Sequence, residues 1–111
     1  MPRPARSPAA TAPDPFEALG DPQRRAILSL LAERPRAVGE LAEVLPVTRP
    51  AVSFHLRLLK DAGLVVDERV GTRRIYALRR EGLDAVASYL EGMWGDAAAR
   101  FRLMAENTKD R

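Results

Sequence analysis

The sequence contains no cysteine and a single histidine, His55. The absence of cysteine excludes disulfides, thiolate metal sites and a cysteine nucleophile, and nothing marks a secreted protein. A zinc site at His55 would need further histidines, cysteines or clustered carboxylates, and the chain has no second histidine and no cysteine. No nucleophile–base pair and no glycine-rich phosphate loop is present either. We therefore predict no catalytic site, no metal and no cofactor.

Long apolar runs are also missing. No stretch approaches the roughly 18 residues that a membrane-spanning helix needs, and the first 15 residues, MPRPARSPAATAPDP, lack the apolar core of a secretory signal. The remaining composition is ordinary, since 46% of the 111 residues are hydrophobic, which is enough to build the core of one domain. We expect a cytoplasmic protein with no membrane partner.

The positive charge is concentrated in one part of the chain. Residues 49–80 carry a net charge of +5, whereas residues 14–48 and 81–111 carry −2 each and residues 1–13 carry +2. Concentrated cationic charge is expected of a surface that binds a polyanion. On charge alone, a solvated face that happens to be basic explains the pattern equally well.

The composition divides the chain into three parts. Residues 1–13 are rich in proline, alanine and arginine and cannot bury a face, which predicts a disordered basic arm. Residues 14–107 contain the periodic apolar patterns and form the predicted folded domain, to which the motifs described next assign DNA binding and dimerisation. Residues 108–111 are predicted to be a flexible tail.

Two Asp-Pro pairs predict helix starts. Asp14 and Asp21 are good N-caps, and the proline after each suits the first helical position. Gly20 is predicted to end the first helix in a left-handed conformation, and Pro35 to end the second. A third, short helix is predicted within residues 37–46.

The stretch TRPAVSFHLRLL predicts a fourth helix with Thr48 as its N-cap. Pro50 lies in the first turn, where backbone N–H groups have no intrahelical acceptor, so it breaks no hydrogen bond. The predicted buried stripe is Val52, Leu56 and Leu59. The opposite side carries Pro50, Ser53 and Arg57, with Phe54 on its outer flank. Three residues separate this helix from the preceding one, a spacing typical of a helix-turn-helix.

The segment LVVDERVGTRRIYAL predicts a β-hairpin that turns around Gly71. Its tip gathers Arg69, Arg73 and Arg74, while Tyr76 and Leu78 are expected to face the core. The order of elements describes a winged helix-turn-helix, a mainly α fold with a small β-hairpin wing and a long C-terminal helix. Such a domain places the second helix of its motif in the major groove of DNA.

Side-chain chemistry selects the candidate DNA contacts. Arginine forms bidentate bonds with guanine or pairs with phosphate, and serine bonds to either, which favours Arg49, Ser53 and Arg57. His55 is interpreted as a packing or capping residue beside the buried stripe, or as a phosphate contact. Phe54 could meet a thymine methyl group. It would also suit an apolar groove on another protein, so the alternative function is an interaction module without specific DNA binding.

The last helix, predicted over residues 81–107, has an apolar repeat of period 3.5. Its members are Leu83, Ala87, Leu90, Trp94, Ala97, Phe101 and Met104. The first helix and residues 83–90 are expected to pack on the chain's own core. A helix of this length extends about 40 Å, more than so small a domain needs, which predicts a homodimer through this stripe. Only the region of Trp94 and Phe101 suggests an effector pocket, and packing explains it better, so no effector is assigned.

Four pieces of the sequence resemble the ArsR/SmtB-type bacterial transcriptional regulators: LGDPQRRAIL, VGELA, PAVSFHLRLLKDAGLV and GTRRIYAL. The resemblance covers nearly all of residues 14–107. It implies a dimeric winged-helix repressor that binds a pseudo-palindromic operator on double-stranded DNA, with the first and last helices, including Phe16, at the dimer interface. The operator-facing residues that it implies are Thr48, Arg49, Pro50, Ser53, His55 and Arg57, with Arg69, Arg73 and Arg74 on the wing.

This chain departs from the family pattern in three respects. Phe54 occupies a position where a polar residue is common. The third helix lacks the cysteine pair of metalloid-sensing members, and the last helix has no histidine, unlike that of metal-sensing members. The chain is therefore similar to the metal-independent branch of the family.

Overall fold

The computed structural model describes residues 14–109 of the chain. The basic arm predicted for residues 1–13 lies outside this range. Within it, the chain forms α1 (Pro15–Ala18), α2 (Pro22–Glu33), β1 (Arg36–Ala37), α3 (Val38–Val44), α4 (Arg49–Asp61), β2 (Val65–Val70), β3 (Arg73–Leu78) and α5 (Arg80–Lys109). The three strands form one antiparallel sheet in the order β1-β3-β2. The predicted winged helix-turn-helix with a long C-terminal helix is confirmed.

Aspartate side chains begin the first two helices, as predicted. Asp14 Oδ1 accepts a hydrogen bond from the N–H of Phe16 at 3.1 Å. Asp21 Oδ1 accepts from the N–H groups of Gln23 at 2.7 Å and Arg24 at 3.2 Å. These bonds satisfy N–H groups that lack acceptors in the first turn of a helix.

The prediction of a left-handed Gly20 is wrong. Among the described residues, positive φ occurs only at Gly63 (81°) and Gly71 (65°). The N–H of Gly20 instead bonds to the carbonyl of Glu17 at 3.0 Å in a tight right-handed turn, and the chain enters α2 directly. Gly63 does end α4 in the predicted left-handed conformation, and Gly71 forms the turn of the hairpin.

The sequence did not predict β1, which pairs with β3 just before α3 begins. Its Arg36 is buried, with the guanidinium Nε donating to the carbonyl of Leu30 at 3.1 Å and Nη2 pairing with Glu33 at 2.6 Å. The arginine therefore adds a second hydrogen bond to the Leu30 carbonyl, which also accepts the N–H of Arg34 at 3.4 Å at the C-terminal end of α2. A strand of two residues has no periodicity that a sequence pattern could reveal.

The core lies between α2, α3, α4 and the base of the wing. Its largest fully buried side chains are Ile27, Leu41, Val52, Leu56, Leu59, Leu64 and Val65. The predicted stripe of α4 is confirmed, since all three of its residues are 0% exposed. Burying each such side chain contributes about 1.5–3 kcal/mol before entropy is subtracted, which fixes the rotation of α4 about its axis.

Helix α5 contains 30 residues and extends about 45 Å. It continues two residues beyond the predicted end, into the segment predicted as a tail; residues 110–111 lie outside the described range. Leu83 packs against the core as predicted, but Ala87 and Leu90 are exposed, and the buried residue one turn along is Val86. Within residues 14–109, no helix combines the length and apolarity needed to cross a membrane.

Candidate nucleic-acid interface

The face of α4 opposite the core borders a groove of about 630 Å³ between the helix and the wing. The helix contributes Pro50, Ser53, Phe54, Arg57 and Lys60, and the wing contributes Asp67, Arg74 and Tyr76. The structure thus brings four of the predicted helix residues together with one of the predicted wing arginines. A cationic groove beside an exposed helix face is the shape expected of a surface that docks on a duplex.

Phe54 and Arg57 contact each other on this face. The guanidinium carbon of Arg57 lies 5.8 Å from the centroid of the Phe54 ring, within the range of a cation–π contact. Phe54 remains 47% exposed, so it borders the groove rather than packing in the core. The aromatic ring limits the conformations of Arg57 while leaving its N–H groups available.

His55 lies on the opposite flank of α4 from Ser53 and Arg57, and its ring centroid is 5.8 Å from that of Phe54. Its half-buried ring faces α2, where Nδ1 lies 3.4 Å from Nη1 of Arg24. Because a guanidinium can only donate, this geometry makes Nδ1 the acceptor. Arg24 also donates from Nε to the carbonyl of Ala18 at 2.7 Å, joining α1, α2 and α4. The contact with Arg24 joins His55 to α2; the sequence-based alternatives of a packing residue and a phosphate contact both stay predictions.

The start of α4 presents Thr48 and Arg49, both exposed. Thr48 acts as the predicted N-cap, with Oγ1 accepting from the N–H of Ala51 at 3.2 Å. Arg49 extends over Gly39, where an added Cβ would lie only 2.8 Å from the guanidinium. Gly39 thus leaves room for Arg49 at the edge of a second groove, which Arg73 and Arg74 also line.

The wing arginines are gathered at the hairpin tip, as predicted, since Arg69 pairs with Arg74 and Val70 with Arg73 across the two strands. Two of the three face carboxylates. Arg73 lies 3.5 Å from Glu40, and Arg74 donates to Asp67 at 2.7 Å. Sequence reasoning did not predict these ion pairs.

Asp67 is the most enclosed carboxylate of the site. Its side chain is 6% exposed and also accepts from Lys60 Nζ at 2.8 Å. The hydrogen bond from Lys60 is the main reason that the pKa of Asp67 lies below its ordinary value of 3.8; Arg74 adds to the shift, and desolvation opposes it. The N–H of Ala37 likewise lowers the pKa of Glu40, despite desolvation.

Asp67 makes the stability of the protein sensitive to acid. A carboxyl group whose pKa is lowered by folding stabilises the protein above its unfolded pKa, and the contribution disappears as pH falls through the folded value. We expect the free energy of unfolding to fall more between pH 6 and pH 3 in the wild type than in Asp67→Asn. Urea unfolding at the two pH values measures this difference, and equal losses would contradict the assignment.

The exposed part of α5 carries a broad apolar stripe. Trp94 is 67% exposed and Phe101 72% exposed, and Leu90, Ala97 and Met104 are exposed on the same side. At its base, the ring of Phe16 from α1 lies 5.1 Å from that of Tyr89, and Phe16 is itself partly exposed. The sequence repeat missed Met93, which lies within this stripe and is also exposed. Exposed apolar surface on this scale marks an interaction site.

Within residues 14–109, no three His, Cys, Asp or Glu side chains come together as a group that could hold a metal ion. The chemistry of the site is that of cations, hydroxyl groups and aromatic rings. It suits the recognition of an anionic polymer.

Comparison with known proteins identifies the family. The model of the family described as "Bacterial regulatory protein, arsR family" matches residues 21–66, from the N-cap of α2 into β2. The chain is 47% identical over 95 residues to the HTH-type transcriptional regulator Rv2034 of Mycobacterium tuberculosis, covering 86% of this chain and 89% of that protein. The chain belongs to the ArsR family. The resemblance noted in the sequence is confirmed, and the protein is a winged helix-turn-helix transcriptional regulator of this family.

Two further matches are a named transcriptional repressor and a solved DNA-binding domain. The transcriptional repressor SdpR of Bacillus subtilis is 40% identical over 63 residues, covering 57% of this chain and 70% of that protein. The solution structure of a domain from Mycobacterium bovis has a TM-score of 0.57 at 31% identity, covering 70% of this chain and 77% of that chain. It is described as a homodimeric winged helix-turn-helix DNA-binding domain.

Proposed function

We propose that this ArsR-family protein is a homodimeric, sequence-specific repressor that places α4 in the major groove of its operator and the wing beside it. The observation that carries the proposal is the difference between the two sides of α4. One side is fully buried, and the other presents Ser53 and Arg57 to a groove that the wing completes. A helix held rigidly in this way can read base edges in a fixed register.

The exposed residues divide by chemistry into two groups. We assign base contacts to Ser53 and Arg57 and phosphate contacts to Arg49 and Arg69. Within the described part of the chain, neither Arg57 nor either of these phosphate-contacting arginines forms an ion pair with a carboxylate. The contact surface is bordered by Thr48, Pro50 and Phe54. It also includes Arg73 and Arg74, but each of these is paired with a carboxylate, which neutralises part of its charge.

A second copy of the chain is the proposed partner of the α5 stripe. In a symmetric dimer the same stripe pairs with itself, burying its apolar residues together with the edge of α1. The proposed interface consists of Phe16, Leu83, Ala87, Leu90, Trp94, Ala97, Phe101 and Met104. Two copies of α4 would then meet a pseudo-palindromic site with half-sites about one helical turn apart. The proposed location is the cytoplasm, where such an operator lies.

The alternative function, a protein-interaction module, is not favoured. Rv2034 is named as a transcriptional regulator and SdpR as a transcriptional repressor. These names favour gene regulation over a purely protein-binding role, and they also indicate a regulator rather than an enzyme. Phe54, the residue that suggested an apolar partner, is partly covered by Arg57. An interaction module would lose partner binding on Phe54→Ala and would show no preferred DNA sequence.

Selection of bound sequences from random duplex DNA with the purified protein tests the proposed function. We expect an enriched sequence with two inverted half-sites about one turn apart. We also expect its affinity to fall steeply with increasing salt, because bound arginines release counterions from the phosphates. Failure to enrich any sequence, together with salt-independent binding, would overturn the proposal.

Arg57→Ala should weaken binding to the selected duplex by about 1–3 kcal/mol and relax the sequence preference at one position in each half-site. The matched control is Arg102→Ala, which removes the same charge from an exposed position on α5 outside the apolar stripe. Fluorescence anisotropy titrations at fixed salt measure both variants. Equal losses for the two would show that Arg57 contributes only general charge.

A further inference from the structure

One acidic side chain lies inside the cationic surface proposed to bind DNA. Asp67, on β2, bonds to Lys60 in the last turn of α4 at 2.8 Å and to Arg74 on β3 at 2.7 Å. The two cationic side chains are about half exposed, whereas that of Asp67 is 6% exposed. An enclosed carboxylate at this position lowers the positive charge of the surface, so its presence needs an explanation other than affinity for phosphate.

We propose that Asp67 is a specificity-determining positioning residue: it ties the wing to α4 and keeps Lys60 and Arg74 from binding phosphates indiscriminately. The proposal rests on the DNA-binding function proposed above. Asp67 itself is not expected to touch DNA, because its carboxylate oxygens are enclosed by the two cations that it binds.

Asp67 lies where it can fix the wing relative to α4. Only residues 62–64 connect α4 to β2, and hydrogen bonds from the N–H groups of Gly63 and Leu64 to the carbonyls of Lys60 and Leu59 hold this link against the end of α4. The Lys60–Asp67 bond adds a second restraint farther along β2, at the groove, and Arg74 extends the contact to the second strand of the wing. Charge-assisted bonds to an enclosed carboxylate are stronger than exposed ion pairs, since breaking them leaves a poorly solvated charge. The bond therefore fixes the distance between the base-reading helix and the phosphate-contacting wing.

Asp67 also lowers the positive charge of the surface. Together, the side chains of Lys60, Asp67 and Arg74 carry a net charge of +1. Without the carboxylate the charge would be +2, and both cations could pair with the phosphates of any sequence. Phosphate contacts add affinity without sequence information, so freeing these cations strengthens binding to all DNA, while the loss of the tie weakens only the binding that depends on base register, and discrimination falls. Removing this negative charge from the DNA-binding surface would then lower the discrimination between the operator and other DNA sequences.

Binding to two duplexes over a series of salt concentrations tests this proposal with the full chain. The first duplex is the one selected by the wild type, and the second has the same length and a scrambled sequence. Asp67→Asn should bind the scrambled duplex about tenfold more tightly at low salt. The slope of log affinity against log salt concentration should also become steeper by about 0.9 for each freed cation. The ratio of the two affinities should fall about tenfold, which is the discrimination of one good base contact.

Two controls separate position from charge. Glu68→Gln makes the same change in net charge at the adjacent exposed position of β2, where no ion pair is present among the described residues, and should retain the wild-type ratio. The double variant Asp67→Asn/Lys60→Gln has the net charge of the wild type but lacks the tie. We expect its salt slope to match the wild type while its ratio stays low.

Each outcome supports or overturns the proposal. A wild-type ratio in Asp67→Asn overturns it, as does a ratio that returns to normal in the charge-matched double variant, because charge alone would then explain the effect. If Asp67→Asn does not fold, Lys60→Gln replaces it: this variant breaks the tie at a half-exposed lysine and should lower the ratio without steepening the salt slope. If the wild type itself enriches no sequence, the DNA-binding proposal fails, and that result is distinct from a failure of the role of Asp67.

Discussion

Replacing Trp94 by glutamate will convert the proposed dimer into a monomer at micromolar concentration. The side chain is large, apolar and 67% exposed, and it lies midway along the α5 stripe. In a symmetric dimer two copies of the new carboxylate would be buried in an apolar interface without a partner. A buried tryptophan of this kind is typically worth 2 kcal/mol or more of binding free energy, and the desolvation of each carboxylate adds to the loss.

The same substitution will lower affinity for the paired operator at least about a hundredfold. A dimer binds the second half-site as an intramolecular step, whereas a monomer must bind each half-site separately. Affinity for an isolated half-site should change little, because Trp94 lines neither of the two grooves beside α4 and the wing. Sedimentation equilibrium and titrations with one and two half-sites measure the two effects.

The matched control is Ala99→Glu, which introduces the same charge on the opposite side of α5, where the residue is also exposed. It should leave both the dimer and its operator affinity unchanged. If Trp94→Glu remains dimeric with the dissociation constant of the wild type, the stripe is not the interface. If Ala99→Glu also dissociates, the two faces of the helix contribute alike and the stripe assignment is wrong.

The helix-turn-helix could be predicted from the sequence because its signals agree with one another. In α4, a Thr48 cap, a proline in the first turn, a stripe of period 3.6 and a terminal Gly63 all indicate the same helix, and the structure has all four. The position of His55 follows from the same periodicity, since it lies on the flank of the stripe away from Ser53 and Arg57. Family resemblance placed it with the operator contacts, whereas the geometry places it against Arg24.

The packing of α5 could be predicted only in part. A straight helix drifts by about 20° per heptad from a strict 3.5 repeat, so a stripe chosen by alternating steps of three and four departs from the true packing face. Within the first heptad this drift is small: Val86 rather than Ala87 reaches the core because the core contacts the flank of Leu83 that carries Val86, and Met93 lies on the same flank one heptad further on. The apolar pattern of a helix is the same whether its residues pack on the core of their own chain or against a second copy, so the sequence does not distinguish the two.

The ion pairs of the site depend on tertiary structure. A two-residue turn at Gly71 pairs Arg69 with Arg74 and thereby places Asp67 diagonally opposite Arg74, so this contact could have been inferred from the hairpin register. The approach of Lys60 could not, because it depends on how α4 packs against β2. Charge counting treated all the basic residues of the segment alike, whereas the structure neutralises some and leaves others available.

One glycine-to-alanine exchange will have opposite effects at two positions of α5. At Gly92, no atom lies within 4 Å of an added Cβ, and the position faces away from the apolar stripe. Alanine there should stabilise the protein by about 1 kcal/mol through helix propensity. At Gly82, an added Cβ would overlap the backbone carbonyl of Gly63, so alanine should destabilise it by about 1–3 kcal/mol, or more if the backbone cannot shift.

The loss at Gly82 has a physical origin at the junction between the α4–β2 link and the start of α5. The N–H of Arg79 donates to the carbonyl of Leu64 at 2.9 Å, which holds the first turn of α5 against the link. The obstacle is backbone, which cannot rotate away as a side chain can. To admit a methyl group, α5 must move outward, which weakens that bond and withdraws Val86 from the core.

Urea unfolding at one fixed protein concentration measures both variants, since the stability of a dimer depends on concentration. Thermal unfolding is a second measurement. In a domain of this size, each kcal/mol corresponds to a shift of about 4–8 °C in Tm, so the Tm of Gly92→Ala should lie above that of the wild type and the Tm of Gly82→Ala below it. Two stabilising results would mean that α5 is not held against the link in solution.

Because α5 also carries the proposed dimer interface, displacing its first turn should change the angle between the two copies of α4. Gly82→Ala should therefore weaken binding to the paired operator even at temperatures where the variant is fully folded, and Gly92→Ala should not.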